Sequence, residues 1–181
     1  VIAPHGLTLG GGCEMTLHSD AAVASAETYI GLVEAGVGLI PGGGGTKEFV
    51  VRTSDSFYAG DPQLPKLIER FQTIATAKVA TSGHEACEIG VMHHDKDEVV
   101  VKGARVITEA KRKVIELHND GYVQKPQRDD ILVLGRTALG ALYSVVEAFG
   151  ISGYASEHDM LIGRKLAYVM AGGDLTQPTK V

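Results

Sequence analysis

The pattern of apolar and polar positions changes character near residue 60. In residues 1–60 the apolar stretches are short and interrupted by glycine, whereas in residues 61–181 they recur at three- and four-residue spacings. Val1 to Ala3 has the character of a strand end, stopped by Pro4. The run from Gly11 to Ser19 predicts a helix, and its glycine-rich entry allows close approach to the first-turn amides. Ala21–Ala24 and Thr28–Gly31 predict short strands around a Ser25-Ala26-Glu27 turn. Gly36 to Gly45 carries too many glycines, and Pro41 besides, for regular structure, and predicts a loop with unusual backbone demands.

The second half reads as helices. Periodicity predicts them over Thr46–Arg52 and Leu64–Thr76, with Pro65 suited to a first turn. Ser82 and Glu85 form a capping-box pattern opening a short helix that Gly90 ends. Val99–Asp120 predicts a long amphipathic helix with an apolar stripe of Val106, Ile107, Ala110, Val114 and Leu117, closed by Gly121. Pro126 to Asp130 is a polar linker, and two further helices are expected at Ile131–Gly150 and Ser156–Ala171, the latter with Ser156 as N-cap. The expected class is therefore α/β: a loop-rich, chemistry-bearing part in residues 1–60 and a mainly helical part in residues 61–181.

Composition narrows the function classes. A chain of 181 residues, 44% hydrophobic and 22% charged, can bury a working core as one domain. No apolar run approaches the roughly 20 residues needed to span a bilayer, so no integral membrane segment is expected. The start lacks both a signal-peptide pattern and an initiator methionine, and the chain is expected to begin inside a longer protein. A net charge of −5 and the absence of a basic stripe argue against a nucleic-acid partner. Cys13 and Cys87 make neither a disulfide framework nor a CxxC pair, which favours a reducing cytoplasm.

Several chemical candidates are set aside on their residues. Gly42 to Lys47 is no phosphate loop, because Thr46 precedes Lys47 where Gly-Lys-Ser/Thr is required. His93, His94, Asp95 and Asp97 read as a solvated loop, and no metal is expected. Cys13 reads as a buried structural thiol, His158 as a residue that caps or packs, and Lys111, Arg112 and Lys113 as a solvated helix face.

Two glutamates hold more promise. Glu14 lies in the first helical turn after Gly10-Gly11-Gly12, and Glu34 stands between Tyr29-Ile30-Gly31 and Ala35-Gly36-Val37-Gly38. Two carboxyls on one water can divide acid and base roles. Exposed amides at Gly11 and Gly12 can receive a developing oxyanion. The residues alone leave other readings open: a first-turn glutamate is favoured by the helix dipole without any function, and Glu34 can be a plain loop residue.

The run Gly6-Leu7-Thr8-Leu9-Gly10-Gly11-Gly12-Cys13-Glu14, then Asp20, then Tyr29-Ile30-Gly31-Leu32-Val33-Glu34, then Gly38-Leu39-Ile40-Pro41-Gly42-Gly43-Gly44-Gly45-Thr46 resembles the signature of the crotonase superfamily of enoyl-CoA hydratases and isomerases. Val33 departs from it, since many hydratases have proline before the second glutamate; loop stiffness rather than chemistry should change. Ser25–Tyr29, Thr73–Ser82 and Ser152–Asp159 extend the resemblance to the C-terminal crotonase region of bacterial fatty-oxidation proteins that begin with an NAD-dependent 3-hydroxyacyl-CoA dehydrogenase.

The resemblance implies a partial crotonase-type β-β-α spiral core followed by a mainly helical region used in subunit association. It implies syn hydration of a trans-2-enoyl-CoA in fatty-acid β-oxidation. Glu14 would help activate the water that attacks C3, and Glu34 would protonate C2. The Gly11 amide, beside Gly12, would donate to the thioester oxygen, and Gly42 would line the pocket. An acyl-CoA thioester is the expected partner, in a homo-oligomer, with no cofactor in this region and NAD in the dehydrogenase part. A second oxyanion donor is expected upstream of Val1, so the isolated chain should have little or no activity. The alternatives are an isomerase acting through Glu34 alone, against which the presence of Glu14 speaks, and a non-catalytic assembly domain.

Overall fold

The computed structural model describes residues 1–181. In chain order the elements are β1 (Gly6–Leu9), α1 (Gly11–Leu17), β2 (Val23–Ser25), β3 (Thr28–Gly31), a 3-10 turn (Glu34–Val37), α2 (Gly45–Asp55), α3 (Gln63–Ala75), α4 (Gly83–Glu88) and β4 (Glu98–Val100). A second 3-10 turn (Gly103–Arg105) leads into α5 (Val106–Asn119), followed by β5 (Leu132–Val133), α6 (Gly135–Ile151), α7 (Glu157–Met170) and β6 (Thr179–Lys180). The architecture is mixed α/β, as expected. The chain forms two compact units, residues 1–32 with 79–127 and residues 33–78 with 128–181. This is a different partition from the glycine-rich and helical parts divided at residue 60.

In the first unit the strands pair across distance rather than with their neighbours. β1 runs parallel to β3 in the register Gly6↔Thr28 to Leu9↔Gly31, and β2 runs parallel to β4, Val23↔Glu98 to Ser25↔Val100. The strand expected at Val1–Ala3 reduces to one bridge, Ile2 to Ala22, and the regular strand follows Pro4 instead. Strands β2 and β3 are close to their expected positions but are not each other's partner. The turn between them is secured from outside: Ser25 N donates to the Pro4 carbonyl at 2.9 Å, and the buried Thr28 hydroxyl reaches the Pro4 and Ser25 carbonyls at 3.1 and 2.8 Å.

The expected long helix does not start at Val99: Glu98–Val100 is a strand and Gly103–Arg105 a 3-10 turn. The β-branched run Val99-Val100 fits a pleated pairing with β2 better than a helix. Asp97 sets that strand in place, its two carboxylate oxygens accepting from Ala22 N and His93 N, both at 2.7 Å. Helix α5 then starts at Val106, and of its expected apolar stripe only Val106 is buried; Ile107 and Val114 are 58% and 51% exposed. The periodicity is real, but the stripe is covered only in part: Ala110 and Leu117 are half-buried. Its charged face is paired: Arg112 bonds Glu98, Glu109 and Glu116. In α4, Ser82 Oγ caps the Glu85 amide at 3.1 Å, while the Glu85 carboxylate accepts from Thr81 N and Oγ1 at 2.8 Å.

The second unit is helical. Phe49, Leu67, Phe71, Ile74, Leu142, Val146, Leu166 and Met170, each under 9% exposed, bring α2, α3, α6 and α7 onto one core. The helix expected from Ile131 begins only at Gly135, because Leu132-Val133 pairs antiparallel with Thr179-Lys180 and the Leu132 amide donates to Ser54 Oγ at 2.9 Å. Ser156 is the N-cap of α7 and belongs to a full capping box. Asp159 N donates to Ser156 Oγ at 3.2 Å and Ser156 N to Asp159 Oδ2 at 2.9 Å. The hydrogen bonds from Ser156 hold the Asp159 carboxyl below its ordinary range.

Two stability outcomes follow from these anchors. Asp97→Ala removes a charged acceptor from two backbone amides and should cost about 2–3 kcal/mol in chemical denaturation. Ser156→Ala should cost about 1 kcal/mol, the usual loss of an N-cap; no change in midpoint for either variant would contradict the assigned role.

Candidate functional site

The glycine turn and Glu14 belong to the first unit. Strand β1 ends at Leu9, and Gly10 N donates to Gly31 O at 3.0 Å, which ties the turn to the end of β3. Gly10 has φ 55 and ψ −120, a backbone region open to glycine alone, so the chain reverses into α1 within one residue. No side chain caps α1. Gly11 is exposed and a Cβ there would meet nothing within 4 Å, so its surroundings are open; at Gly12 a Cβ would press on Thr8 Cγ2 at 3.3 Å. First-turn amides have no intrahelical acceptor, which leaves them for capping groups, water or a ligand.

Glu14 is only 8% exposed. Its backbone is well restrained: Glu14 N donates to Gly10 O at 2.9 Å, while Glu14 O accepts from His18 N at 3.1 Å and from the His18 ring at 2.8 Å, which places a proton on Nδ1. Cys13 beside it is wholly buried, as a structural thiol should be. Cys87, elsewhere in the unit, is pushed up first by burial and then by the charges of Asp97 and Glu88, so it stays a thiol.

Glu34 and Gly42 belong to the second unit. Glu34 opens the 3-10 turn and is partly buried, and its Oε2 is a buried oxygen with no hydrogen-bond partner in the protein. A second such atom, Thr46 Oγ1, follows at the start of α2. An orphaned buried acceptor costs about 1–3 kcal/mol of desolvation, so structures keep one where a water or ligand completes it. Gly42 is exposed at the Pro41 turn, and a Cβ there would meet only Ile40 O at 3.9 Å. Its backbone does not demand glycine.

Against the turn lies an apolar cavity of about 350 Å³ within the second unit. Ala35 and Gly36, immediately after Glu34, form part of its wall, with Phe71, Phe149, Ile162 and Leu166. Tyr154, Thr76 and Asp159 supply its polar groups. Pockets of this size and lining suit the hydrocarbon part of a small molecule.

Sequence reasoning singled out Gly11, Gly12, Glu14, Glu34 and Gly42; the structure places the first three on α1, Glu34 at the start of the 3-10 turn and Gly42 in the loop before α2. Sequence reasoning did not find the orphaned Thr46 hydroxyl, nor the contact of His158 Nε2 with Gly38 O at 3.1 Å. No local pattern marks a contact between residues 120 positions apart. No group of three or more His, Cys, Asp or Glu side chains is placed to hold a metal ion, and no helix is long and apolar enough to cross a membrane.

No protein-family model matches the chain. Among curated proteins it is 40% identical over all 181 residues to a "Probable 3-hydroxyacyl-CoA dehydrogenase" of Bacillus subtilis (strain 168), covering 22% of that protein. It is 30% identical over 157 residues to the mitochondrial methylglutaconyl-CoA hydratase of Rattus norvegicus, covering 87% of this chain and 42% of that protein. Among solved structures, an enoyl-CoA hydratase from Bacillus anthracis aligns at 24% identity with a TM-score of 0.46, over 91% of this chain and 50% of that one. The chain thus spans less than half the length of these curated relatives. It is similar along its whole length to one part of the dehydrogenase and over most of its length to one part of the hydratase.

Proposed function

We propose that this chain is the enoyl-CoA hydratase region of a longer, bifunctional fatty-acid β-oxidation protein, adding water syn across a trans-2-enoyl-CoA. The observation that carries the proposal is the buried, unpartnered Oε2 of Glu34, the residue that precedes Ala35 and Gly36 of the apolar cavity wall. Glu14, shielded at 8% exposure, accepts the proton of the water as it attacks C3, and Glu34 delivers a proton to C2.

As the double bond is hydrated, the thioester oxygen takes on enolate charge. The Gly11 amide donates to it at the open end of α1, and each such donor is worth about 3 kcal/mol in the transition state. Gly12 keeps the first turn narrow beside Thr8. Gly42 lines the approach for the acyl-CoA, and the cavity beside Ala35 and Gly36 takes hydrocarbon. This region needs no cofactor for hydration; NAD belongs to the dehydrogenase part of the protein, in a cytoplasmic homo-oligomer.

Glu34→Gln in the full-length polypeptide should lower kcat/KM for crotonyl-CoA hydration by about 10²–10⁴, the usual range for a general acid or base. Glu14→Gln should do the same. Undiminished isomerisation of a 3-enoyl-CoA with Glu14→Gln, without hydration in the parent, would favour the isomerase reading; unchanged hydration with Glu34→Gln would sink the assignment. The separate 181-residue chain should hydrate crotonyl-CoA far more slowly than the full-length polypeptide, measured side by side by the loss of enoyl-thioester absorbance, roughly by the cost of one lost oxyanion donor or more.

A further inference from the structure

The turn that carries Glu34 is short and weakly braced by its own sequence. Gly36 N donates to Val33 O at 3.0 Å, Gly38 N to Ala35 O at 3.2 Å and Leu39 N to Glu34 O at 2.9 Å, all within a few residues. A single 3-10 turn has poorer hydrogen-bond geometry than an α-helix and little stiffness alone. Val33, the residue before it, has φ −105 and ψ 1. Proline is confined near φ −65, so the backbone takes a path at position 33 that no proline ring enforces. Nor does a protein hydrogen bond at Oε2 hold the Glu34 carboxyl, so its place depends on the backbone of the turn.

A brace comes from another element of the same unit. Gly38 leaves the turn at φ 79 and ψ 27, in the left-handed region, and its carbonyl accepts from His158 Nε2–H at 3.1 Å. His158 sits in the first turn of α7, whose start the Ser156–Asp159 capping box locks. The ring also fills the space beside Gly38, where a Cβ would come within 3.2 Å of Nε2 and 3.3 Å of Cδ2. Glycine at 38 therefore serves both the left-handed turn and the approach of the imidazole.

We infer that His158 is a positioning residue for Glu34, fixing the Glu34–Gly38 turn through the Gly38 carbonyl. The inference rests on the assignment of Glu34 as the proton donor to C2. His158 touches no reacting atom; it restricts where the carboxyl stands, and a misplacement of about 1 Å can cost about 10²-fold in rate.

The test compares His158→Ala, His158→Asn and His158→Gln with Glu34→Gln in the full-length polypeptide. Alanine has no donor and asparagine is too short to reach, whereas glutamine can place an N–H near the Nε2 position. Both Ala and Asn should lower kcat for crotonyl-CoA hydration by about 10-fold or more while KM changes by less than about 2-fold, and Gln should recover most of kcat. Amide exchange at Leu39, whose N–H closes the turn on Glu34 O, should quicken in the Ala and Asn variants and not in the Gln variant. Losses of kcat that merely follow thermal stability, or no recovery with Gln, would overturn the inference. If Glu34→Gln abolishes hydration and His158→Asn leaves kcat unaltered, the positioning role fails and the Glu34 assignment stands. If Glu34→Gln leaves hydration intact, both fall.

Discussion

Parallel pairing of Gly6–Leu9 with Thr28–Gly31 is the interaction on which the placement of the glycine turn and Glu14 depends. Parallel strands leave a sheet at the same edge, so the chain exits β1 into the glycine turn beside the point where it exits β3. The Gly10 N to Gly31 O bond locks those two exits together at 3.0 Å. One exit turns at Gly10 into a helix with a buried first-turn glutamate, and the other continues into Leu32 at the end of the unit. A one-residue slip in the register would move Gly10 off its partner and turn every side chain of β1 to the opposite face.

A second theme is that charge and polarity in this protein are mostly spoken for. Arg112, Arg128, Arg136 and Arg164 each pair with carboxylates at the surface, where such pairs contribute little to stability. Asp97 and the Ser156–Asp159 box satisfy backbone amides. Against that background the uncompensated Oε2 of Glu34 and Oγ1 of Thr46 stand out, and both lie on the short stretch that resembles the family signature. A carboxyl that the fold shields but does not satisfy is stabilised only when water or substrate arrives, which is the condition a proton-transferring group needs.

What was legible in the sequence had local causes. Gly11–Leu17 forms a helix because glycine opens it and Cys13, Thr16 and Leu17 bury one side; α3, α4 and α7 declare themselves through Pro65, Ser82 and Ser156. The carboxylate pair was visible through its neighbours: residue types and spacing alone left Glu14 and Glu34 open to bland readings, and the family resemblance weighted them. Where local reading failed, a distant partner had decided. Val99-Val100 alternates too little to choose between helix and strand until β2 offers a ladder, and Leu132-Val133 becomes a strand because Thr179-Lys180 returns alongside it. The stripe on α5 has helical period and only partial cover, since periodicity reports what a segment can bury and not what is there to bury it.

By itself the sequence determined the mixed α/β class, most helix boundaries and the glycine turn, because propensity, caps and backbone freedom act over a few residues. Only the tertiary structure decided the strand partners, the burial of Glu14, the solitude of Glu34 Oε2, the cavity beside it and the grip of His158 on Gly38. Each of these is a meeting of residues tens of positions apart, and the free energy that selects such meetings comes from desolvation and packing that no short window of sequence contains.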